Sequence, residues 1–265
     1  MKPLIIIKIG GSVFACKDAD KPTVDKKTLK RLCKEIGEAY KELKNKYNFI
    51  ILHGAGSYGH LIVKQTGIHN GIKNEKNLLD MAKTQKLQYD LDSIVSEELI
   101  ENNIPVFPIQ ASATAIMNDK ALEKMDIKAV KGLLDIDMVP ISYGVPAYDK
   151  KQKCSILSGD VILPYIVKNI ETKKVIHATD VDGVFDKDPN EYKDAKLIKK
   201  IDKEKFEKIK KGITGSSNVD VTGGMLNKVE KLLDLSTKSI IVNGQKEGFL
   251  KKAILGKDVK GTIIF

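Results

Sequence analysis

Residues 53–60 read His-Gly-Ala-Gly-Ser-Tyr-Gly-His and follow directly on the apolar run Phe49–Leu52. An apolar run that feeds a glycine-rich turn predicts a buried strand opening into a ligand loop, here Gly54–Gly59. Glycines lack a Cβ, so their backbone N–H groups approach an oxyanion closely. His60, at the loop's exit, has a ring N–H to offer the same anion. Two familiar labels fit the glycines and fail on their neighbours. Gly54, Gly56 and Gly59 match G-x-G-x-x-G, but that fingerprint wants an acidic residue about 20 positions on, at a strand end. Asp80 has the spacing but lies in Asn77–Leu99, which has a helical pattern. A P-loop would need Lys and Ser/Thr where His60 and Leu61 stand. Anion binding is the leading reading, with dinucleotide binding and a plain tight turn as alternatives.

Lys8 lies inside the apolar run Leu4–Ile9, just before Gly10-Gly11-Ser12. A lysine there is costly to bury unless it meets an anion. Two readings stand: an edge-strand lysine reaching water along its stem, or a cation aimed at a phosphate. Lys17 alone is a loop lysine. Asp160 follows Ser158-Gly159 at an expected helix start, where a carboxylate is a cap or an orienter of lysines. Lys228, four residues after Gly224, is by itself a surface lysine. The paired glycines Gly223-Gly224 at that helix entry tilt it toward phosphate, because free N–H groups at helix N-termini attract anions. Thr179–Phe185 is a polar segment off a strand whose Asp180 and Asp182 either hold a ribose or metal or face solvent. His53 reads as a satisfied buried histidine. His69 and His177 have no partner at metal-ligand spacing.

These residues sit where predicted elements meet. Leu4–Ile9 and Phe49–His53 read as strands, separated by a helix through Leu29, Leu32, Cys33, Ile36, Tyr40 and Leu43 with a cap at Thr23 or Asp25. That βαβ unit implies a parallel sheet. Ile104–Ile109 carries two prolines and is expected to be short or near an edge. Val139–Ser142, Lys174–Ala178, Ser239–Val242 and Thr262–Ile264 read as further strands. Gly144–Leu157 reads as a hairpin turning at Asp149–Lys153. Val161–Val167 and Met225–Leu235 read as helices. No linker separates two domains. The polar strand ends Gly10–Ser12, Gly54–His60, Ser158–Asp160 and Thr179–Phe185 are expected to converge, since ligands of parallel sheets bind beyond the carboxyl ends of the strands.

With 265 residues, the chain can hold one large α/β domain or two closely joined lobes. Lys+Arg is 45 against Asp+Glu 35, a net charge of +10, which suits anionic ligands. Lysines such as Lys26, Lys27, Lys30 and Lys34 fall on solvated helix faces. No basic block is interleaved with aromatics and Trp is absent, so no nucleic-acid partner is expected. Cys16, Cys33 and Cys154 form no C-x-x-C pair, so neither a zinc site nor a disulfide framework is expected and a reducing cytoplasm is. No signal-peptide core or membrane span is present, so no membrane partner is expected.

Taken in order, Lys8-Ile9-Gly10-Gly11-Ser12, His53–Gly59, Ser158-Gly159-Asp160, Thr179–Phe185 with Asp188-Pro189, and Thr222-Gly223-Gly224-Met225 with Lys228 resemble the amino acid kinase family over nearly the whole chain. Within it, Gly54–His60 is similar to the isopentenyl phosphate kinase branch, whose usual form is H-G-x-G-S-F-G-H. Tyr58 replaces the Phe. Fosfomycin-resistance kinases share the histidine, whereas amino-acid kinases and UMP kinases of the fold generally lack it.

The resemblance implies an α/β fold, an αβα sandwich around a mostly parallel central sheet. Residues 1–170 would bind the phosphate acceptor and form a homodimer, and residues 171–265 would bind ATP, on one continuous sheet. The implied activity is a phosphotransferase with a phosphate group as acceptor, making isopentenyl diphosphate from isopentenyl phosphate and ATP in an alternative mevalonate route to isoprenoids. Lys8, Lys17, His60, Asp160 and Lys228 would be catalytic. Gly54, Ala55, Gly59, His60 and Gly159 would meet the acceptor. Lys8, Gly10, Gly11, Ser12, Ala55, Thr179, Asp180, Asp182, Gly183, Phe185, Gly223, Gly224 and Lys228 would meet ATP. Mg²⁺ would travel with ATP, with no dedicated metal site. Ile68, Met81 and Ile94 would permit an apolar tail pocket. The rivals are a fosfomycin-type phosphonate kinase or UMP kinase of the same fold, and a non-catalytic ligand sensor.

Overall fold

All six residues of Leu4–Ile9 are buried, because both faces of this strand are covered. It is β1 of a computed structural model that describes residues 1–15, 20–187, 189, 191–214, 223–235 and 237–265. The other strands are β2 (Asn48–His53), β3 (Val106–Pro108), β4 (Ala115–Asn118), β5 (Ala121–Met125), β6 (Val139–Tyr143), β7 (Val145–Asp149), β8 (Lys153–Leu157), β9 (Thr172–Thr179), β10 (Lys200–Ile201), β11 (Ser239–Asn243) and β12 (Gly261–Ile264). The helices are α1 (Gly11–Phe14), α2 (Lys26–Leu43), α3 (Gly56–Thr66), α4 (Glu75–Glu101), α5 (Ala111–Thr114), α6 (Lys128–Asp135), α7 (Gly159–Asn169), α8 (Lys203–Thr214), α9 (Gly223–Leu233) and α10 (Phe249–Leu255).

The main sheet has eight strands in the order β10-β12-β11-β9-β1-β2-β6-β3. Every neighbouring pair is parallel except β11 with β12. Side chains alternate across it with a period of two. Leu4, Ile6, Ile50 and Leu52 pack on one face with Leu134, Ile162 and Val229. Ile5, Ile7, Phe49 and Ile51 pack on the other with Leu32, Leu91 and Ala253. Helices α6, α7 and α9 thus cover one face and α2, α4 and α10 the other, giving three layers around a mostly parallel sheet. The two-proline run is a three-residue strand at the sheet's end, as its prolines require. Asp25, and not Thr23, caps α2, its carboxylate accepting from Thr28 N at 3.1 Å.

Lys8 is not an edge-strand lysine. β1 is hydrogen-bonded to β2 on one side and β9 on the other, deep in the sheet. The reading in which its stem carries the charge out to water from a sheet edge therefore fails, and the residue is 7% exposed.

A second sheet, β5-β4-β7-β8, was only half expected. The β7–β8 hairpin was legible, but β4–β5 was not. One buried carboxylate joins the two turns: Asp149 accepts from Asp119 N at 3.2 Å, Lys120 N at 2.9 Å, Lys151 N at 2.9 Å and Gln152 N at 2.9 Å. Burial pushes its pKa up, but the N–H donors of Gln152 and Lys120 outweigh this and hold it well below the usual carboxylate range. Asp119 and Lys120 both have positive φ, a strained backbone that these bonds hold in place.

Replacing Asp149 should therefore destabilise the fold. Asp149→Ala should cost about 3 kcal/mol and Asp149→Asn less, read by urea unfolding at neutral pH. Because the folded pKa is depressed, the carboxylate's contribution is present above the unfolded value of about 4 and is lost as pH falls. The stability gap between the native protein and Asp149→Asn should narrow below that pH; a constant gap would count against the charge.

Candidate functional site

The carboxyl ends of β1, β2 and β9 and the start of α7 meet at one cavity of ≈ 720 Å³. Lys8, Gly10, Gly11, Ser12, Gly54, Ala55, Gly59, His60, Gly159, Asp160, Asp180, Gly183, Phe185 and Lys228 line it, so most of the residues singled out from the sequence come together. Among the described residues, Thr179 and Asp182 stand off its wall. Thr179 Oγ1 donates to Val181 O at 3.0 Å. The Asp182 carboxylate accepts from Asn243 at 2.9 Å and pairs with Lys246 and Lys260. Burial raises its pKa and Lys260 and Asn243 outweigh this, taking it to about 2. Gly223-Gly224 open α9, which brings Met225 and Lys228 to the cavity. Lys17, Asp188 and Thr222 lie outside the described residues.

Glycines bring the first two loops into contact. A Cβ on Gly11 would lie 2.2 Å from Gly56 N, and one on Gly54 would lie 2.4 Å from Gly11 N. No side chain fits where two backbones touch. Gly10 N donates to Ala178 O at 2.8 Å and Gly54 N to Ile9 O at 2.9 Å, which ties the strand ends together.

The predicted loop is shorter than its glycines suggest. The turn ends at Ala55 and α3 begins at Gly56, so Gly59 and His60 lie within a helix. Glycine is a poor helix former, but here close packing decides. A Cβ on Gly59 would lie 2.5 Å from Ala55 Cβ and 2.9 Å from Gln88 Nε2 on α4. The N-terminus of α3 therefore faces the cavity, with His60 beside it.

At the centre, Lys8 Nζ donates to Asp160 Oδ1. Gly159 leaves room for it: a Cβ there would lie 3.3 Å from Lys8 Cε. Burial lowers the Lys8 pKa, Asp160 opposes this and Lys228 adds to it, leaving it at about 8. Burial pushes the Asp160 carboxyl up, but Lys8 and Lys228 pull it down to about 2. Asp160 is in the first turn of α7, whose N-cap Ser158 makes no side-chain capping bond, and its carboxylate accepts from Lys8. His177 lies in register with Lys8 on β9 and is 2% exposed. Burial first, then Lys8 and Lys228, hold its pKa well below the usual value, so it is neutral. Nothing in its spacing distinguished it.

His53 is buried as expected, its Nε2 3.2 Å from Asp92 Oδ1 and its ring stacked on Tyr143 at 5.2 Å. Ile68 and Ile94 are spent on packing and do not line the cavity, nor does Met81. Its apolar wall is made of Val63 from α3 and Val145, Pro146 and Ile156 from the β7–β8 hairpin. Among the described residues, no group of three or more His, Cys, Asp or Glu is placed to hold a metal ion. No described helix is long and apolar enough to cross a membrane. Cys33 and Cys154 are buried free thiols.

The chain matches the model of the amino acid kinase family over residues 3–243. It is 35% identical to isopentenyl phosphate kinase of Methanothermobacter thermautotrophicus, covering 98% of each chain. It is 33% identical to isopentenyl phosphate kinase of Methanocaldococcus jannaschii, again over 98% of each. Among solved structures, an isopentenyl phosphate kinase superposes with a TM-score of 0.83 at 32% identity, covering 99% of this chain and 100% of that one. UMP kinase from Ureaplasma parvum, with a TM-score of 0.63 at 17% identity, shares the fold. With the glycine contact, the Lys8–Asp160 pair and the start of α3 around one cavity, and with this match along its length, the chain belongs to the amino acid kinase family.

Proposed function

We propose that the chain is an ATP-dependent phosphotransferase that converts isopentenyl phosphate to isopentenyl diphosphate in an alternative mevalonate route to isoprenoids. The observation that carries this reading is one cavity with two kinds of wall. His60 and the start of α3 suit a phosphate monoester, and Val63, Val145, Pro146 and Ile156 suit a short hydrocarbon tail. The relatives named above have the same activity in their names.

Two anions must be brought together. An oxygen of the acceptor phosphate attacks the γ-phosphorus in line, and the bond to the ADP oxygen breaks. A phosphate monoester is already ionised at neutral pH, so no general base is needed. Positioning and charge stabilisation do the rest. His60 and the backbone of Gly54, Ala55 and Gly59 hold the acceptor phosphate, and Gly159 borders it. Lys8 and Lys228 meet the charge that builds on the transferring group, and Asp160 holds Lys8 in place. Gly10, Gly11 and Ser12 lie beside the phosphates of MgATP. Asp180, Gly183 and Phe185 line the nucleotide end, with Thr179 and Asp182 supporting that segment from behind. Lys17 is a third cation in this scheme, and Mg²⁺ arrives with ATP. The division into an acceptor-binding and dimer-forming portion, 1–170, and an ATP-binding portion, 171–265, belongs to the same proposal, as does a cytoplasmic homodimer.

A coupled ADP-release screen over isopentenyl phosphate, dimethylallyl phosphate, UMP, fosfomycin and acidic amino acids should show the highest kcat/KM with isopentenyl phosphate. Far faster turnover of UMP or fosfomycin would replace the substrate assignment.

Lys8→Ala and Lys228→Ala should each lower kcat more than they raise the acceptor KM, by about 3 kcal/mol in barrier, once circular dichroism shows them folded. Near-normal kcat would remove that lysine from the mechanism. His60→Gln should keep appreciable activity and His60→Ala should lose about one to two powers of ten in kcat/KM. Equal collapse of both would reopen an acid–base role.

The free protein's Lys8 is charged below about pH 8. As pH rises through that value the charge is lost, so kcat/KM for ATP should be level below it and fall by up to about tenfold per unit above. A profile level to pH 10 would show that Lys8 charge is not required.

A further inference from the structure

His53 ends β2 directly before the turn that opens α3, and each of its ring nitrogens faces an acceptor. Nδ1 lies 3.1 Å from Gly54 O and Nε2 lies 3.2 Å from Asp92 Oδ1. Gly54 O can only accept, so Nδ1 carries a proton and donates it. A second proton lies between Nε2 and Asp92, on one or the other. Both residues are shut off from solvent. Gly54 C=O and Ala55 N–H belong to one planar trans peptide, so they point to opposite sides of it. With the C=O held toward the buried ring, the N–H turns away from the core. Ala55 lines the cavity and is the N-cap of α3, where the first N–H groups have no intrahelical partner. Its nitrogen faces Gly11, where an added Cβ would lie 3.0 Å from it. Gly54 N donates to Ile9 O at 2.9 Å. A glycine leaves the backbone free to rotate, so the bonds from Gly54 N and to Gly54 O decide how this peptide is turned. A carbonyl that accepts a hydrogen bond also makes the N–H of its own peptide a stronger donor, by about 10–30%.

We propose that His53, fixed by Asp92, is a positioning residue for the acceptor: it turns the Gly54–Ala55 peptide so that Ala55 N–H points at the acceptor phosphate. This deepens the kinase reading above and rests on it. The ring touches neither substrate nor ATP, and it gives up no proton during transfer. It acts through one amide. Asp92 brings α4 into the arrangement, so the turn after β2 is set by a helix that the loop sequence does not contain.

Asparagine and glutamine separate the ring's two contacts. An Asn side chain places its amide nitrogen near the position of Nδ1 and can donate to Gly54 O; a Gln places its own near Nε2 and can donate to Asp92. Both lose the stack on Tyr143, so the packing loss is common to them. Steady-state kinetics with isopentenyl phosphate and MgATP on the native protein, His53→Asn and His53→Gln test the proposal, with folding checked by thermal unfolding. The acceptor KM of His53→Gln should exceed that of His53→Asn by about five- to tenfold. The kcat and the ATP KM of the two variants should agree within about twofold. Proton–nitrogen correlation NMR on the native protein should show His53 Nδ1 protonated. Equal acceptor KM in the two variants, or a difference shared equally by acceptor and ATP, would reduce His53 to packing and overturn the proposal, while turnover by the native protein leaves the kinase reading standing. An unprotonated Nδ1 would overturn it as well. If neither variant folds, the NMR result decides. A native protein that turns over no acceptor would overturn the kinase reading and this proposal with it.

Discussion

A positive charge held inside a buried parallel sheet is the constraint to which the rest of the structure answers. Lys8 sits between two hydrogen-bonded neighbours, with apolar residues on either side in its own strand. Removing one partner of such a pair costs about 3–5 kcal/mol, because the other charge is stranded. Asp160 must therefore reach it, which fixes where α7 begins and how the β8–α7 junction turns. Gly159 leaves the lysine stem uncrowded, where a Cβ would press on Lys8 Cε. His177 is held neutral first by its burial and then by the nearby charges of Lys8 and Lys228. Burial that makes the ammonium costly also leaves it poorly hydrated, so it acts strongly on any phosphate that enters.

A second constraint is backbone against backbone. The loops after β1 and β2 touch at Gly11, Gly54 and Gly56. This contact places two sets of N–H groups within one cavity, which separate loops with side chains between them would not do. The charges and the amides thus come from different devices, one electrostatic and one steric, that meet because β1 and β2 are adjacent.

Much of this was legible in residue order. Apolar runs located the main strands, Asp25 and Ser158-Gly159-Asp160 marked helix starts, and polar turn residues marked the β7–β8 hairpin. Lys8 stood out because it interrupts an apolar run, whereas Asp160 and Lys228 alone read as a cap and a surface lysine; the structure brings these three and His60 to one cavity. What escaped depended on partners far along the chain. Whether Lys8 was central or at an edge was decided by β9, over 160 residues later. Helix α3 was hidden by glycines that packing against α1 and α4 requires. The β4–β5 hairpin turns at Asp119-Lys120 with no glycine, and it relies on Asp149 some 30 residues on. His177 is an ordinary polar residue until its burial is known.

The sheet order carries a consequence for how the chain assembles. β1 is made first, yet it lies between β2 and β9, and its pairing with β9 joins Leu4–Ile9 to a segment beginning at Thr172. Closing so long a loop must precede the contacts that reward it, so this topology folds slowly by comparison with locally connected ones. β11 joins the sheet on β9 and also pairs with β12, which in turn carries β10. Lys8, Asp160 and Lys228 come from segments far apart in the chain and meet at one cavity only once the long β1–β9 closure is made. Recovered activity is then a clock for that closure, later than any signal that reports the local βαβ unit of β1, α2 and β2.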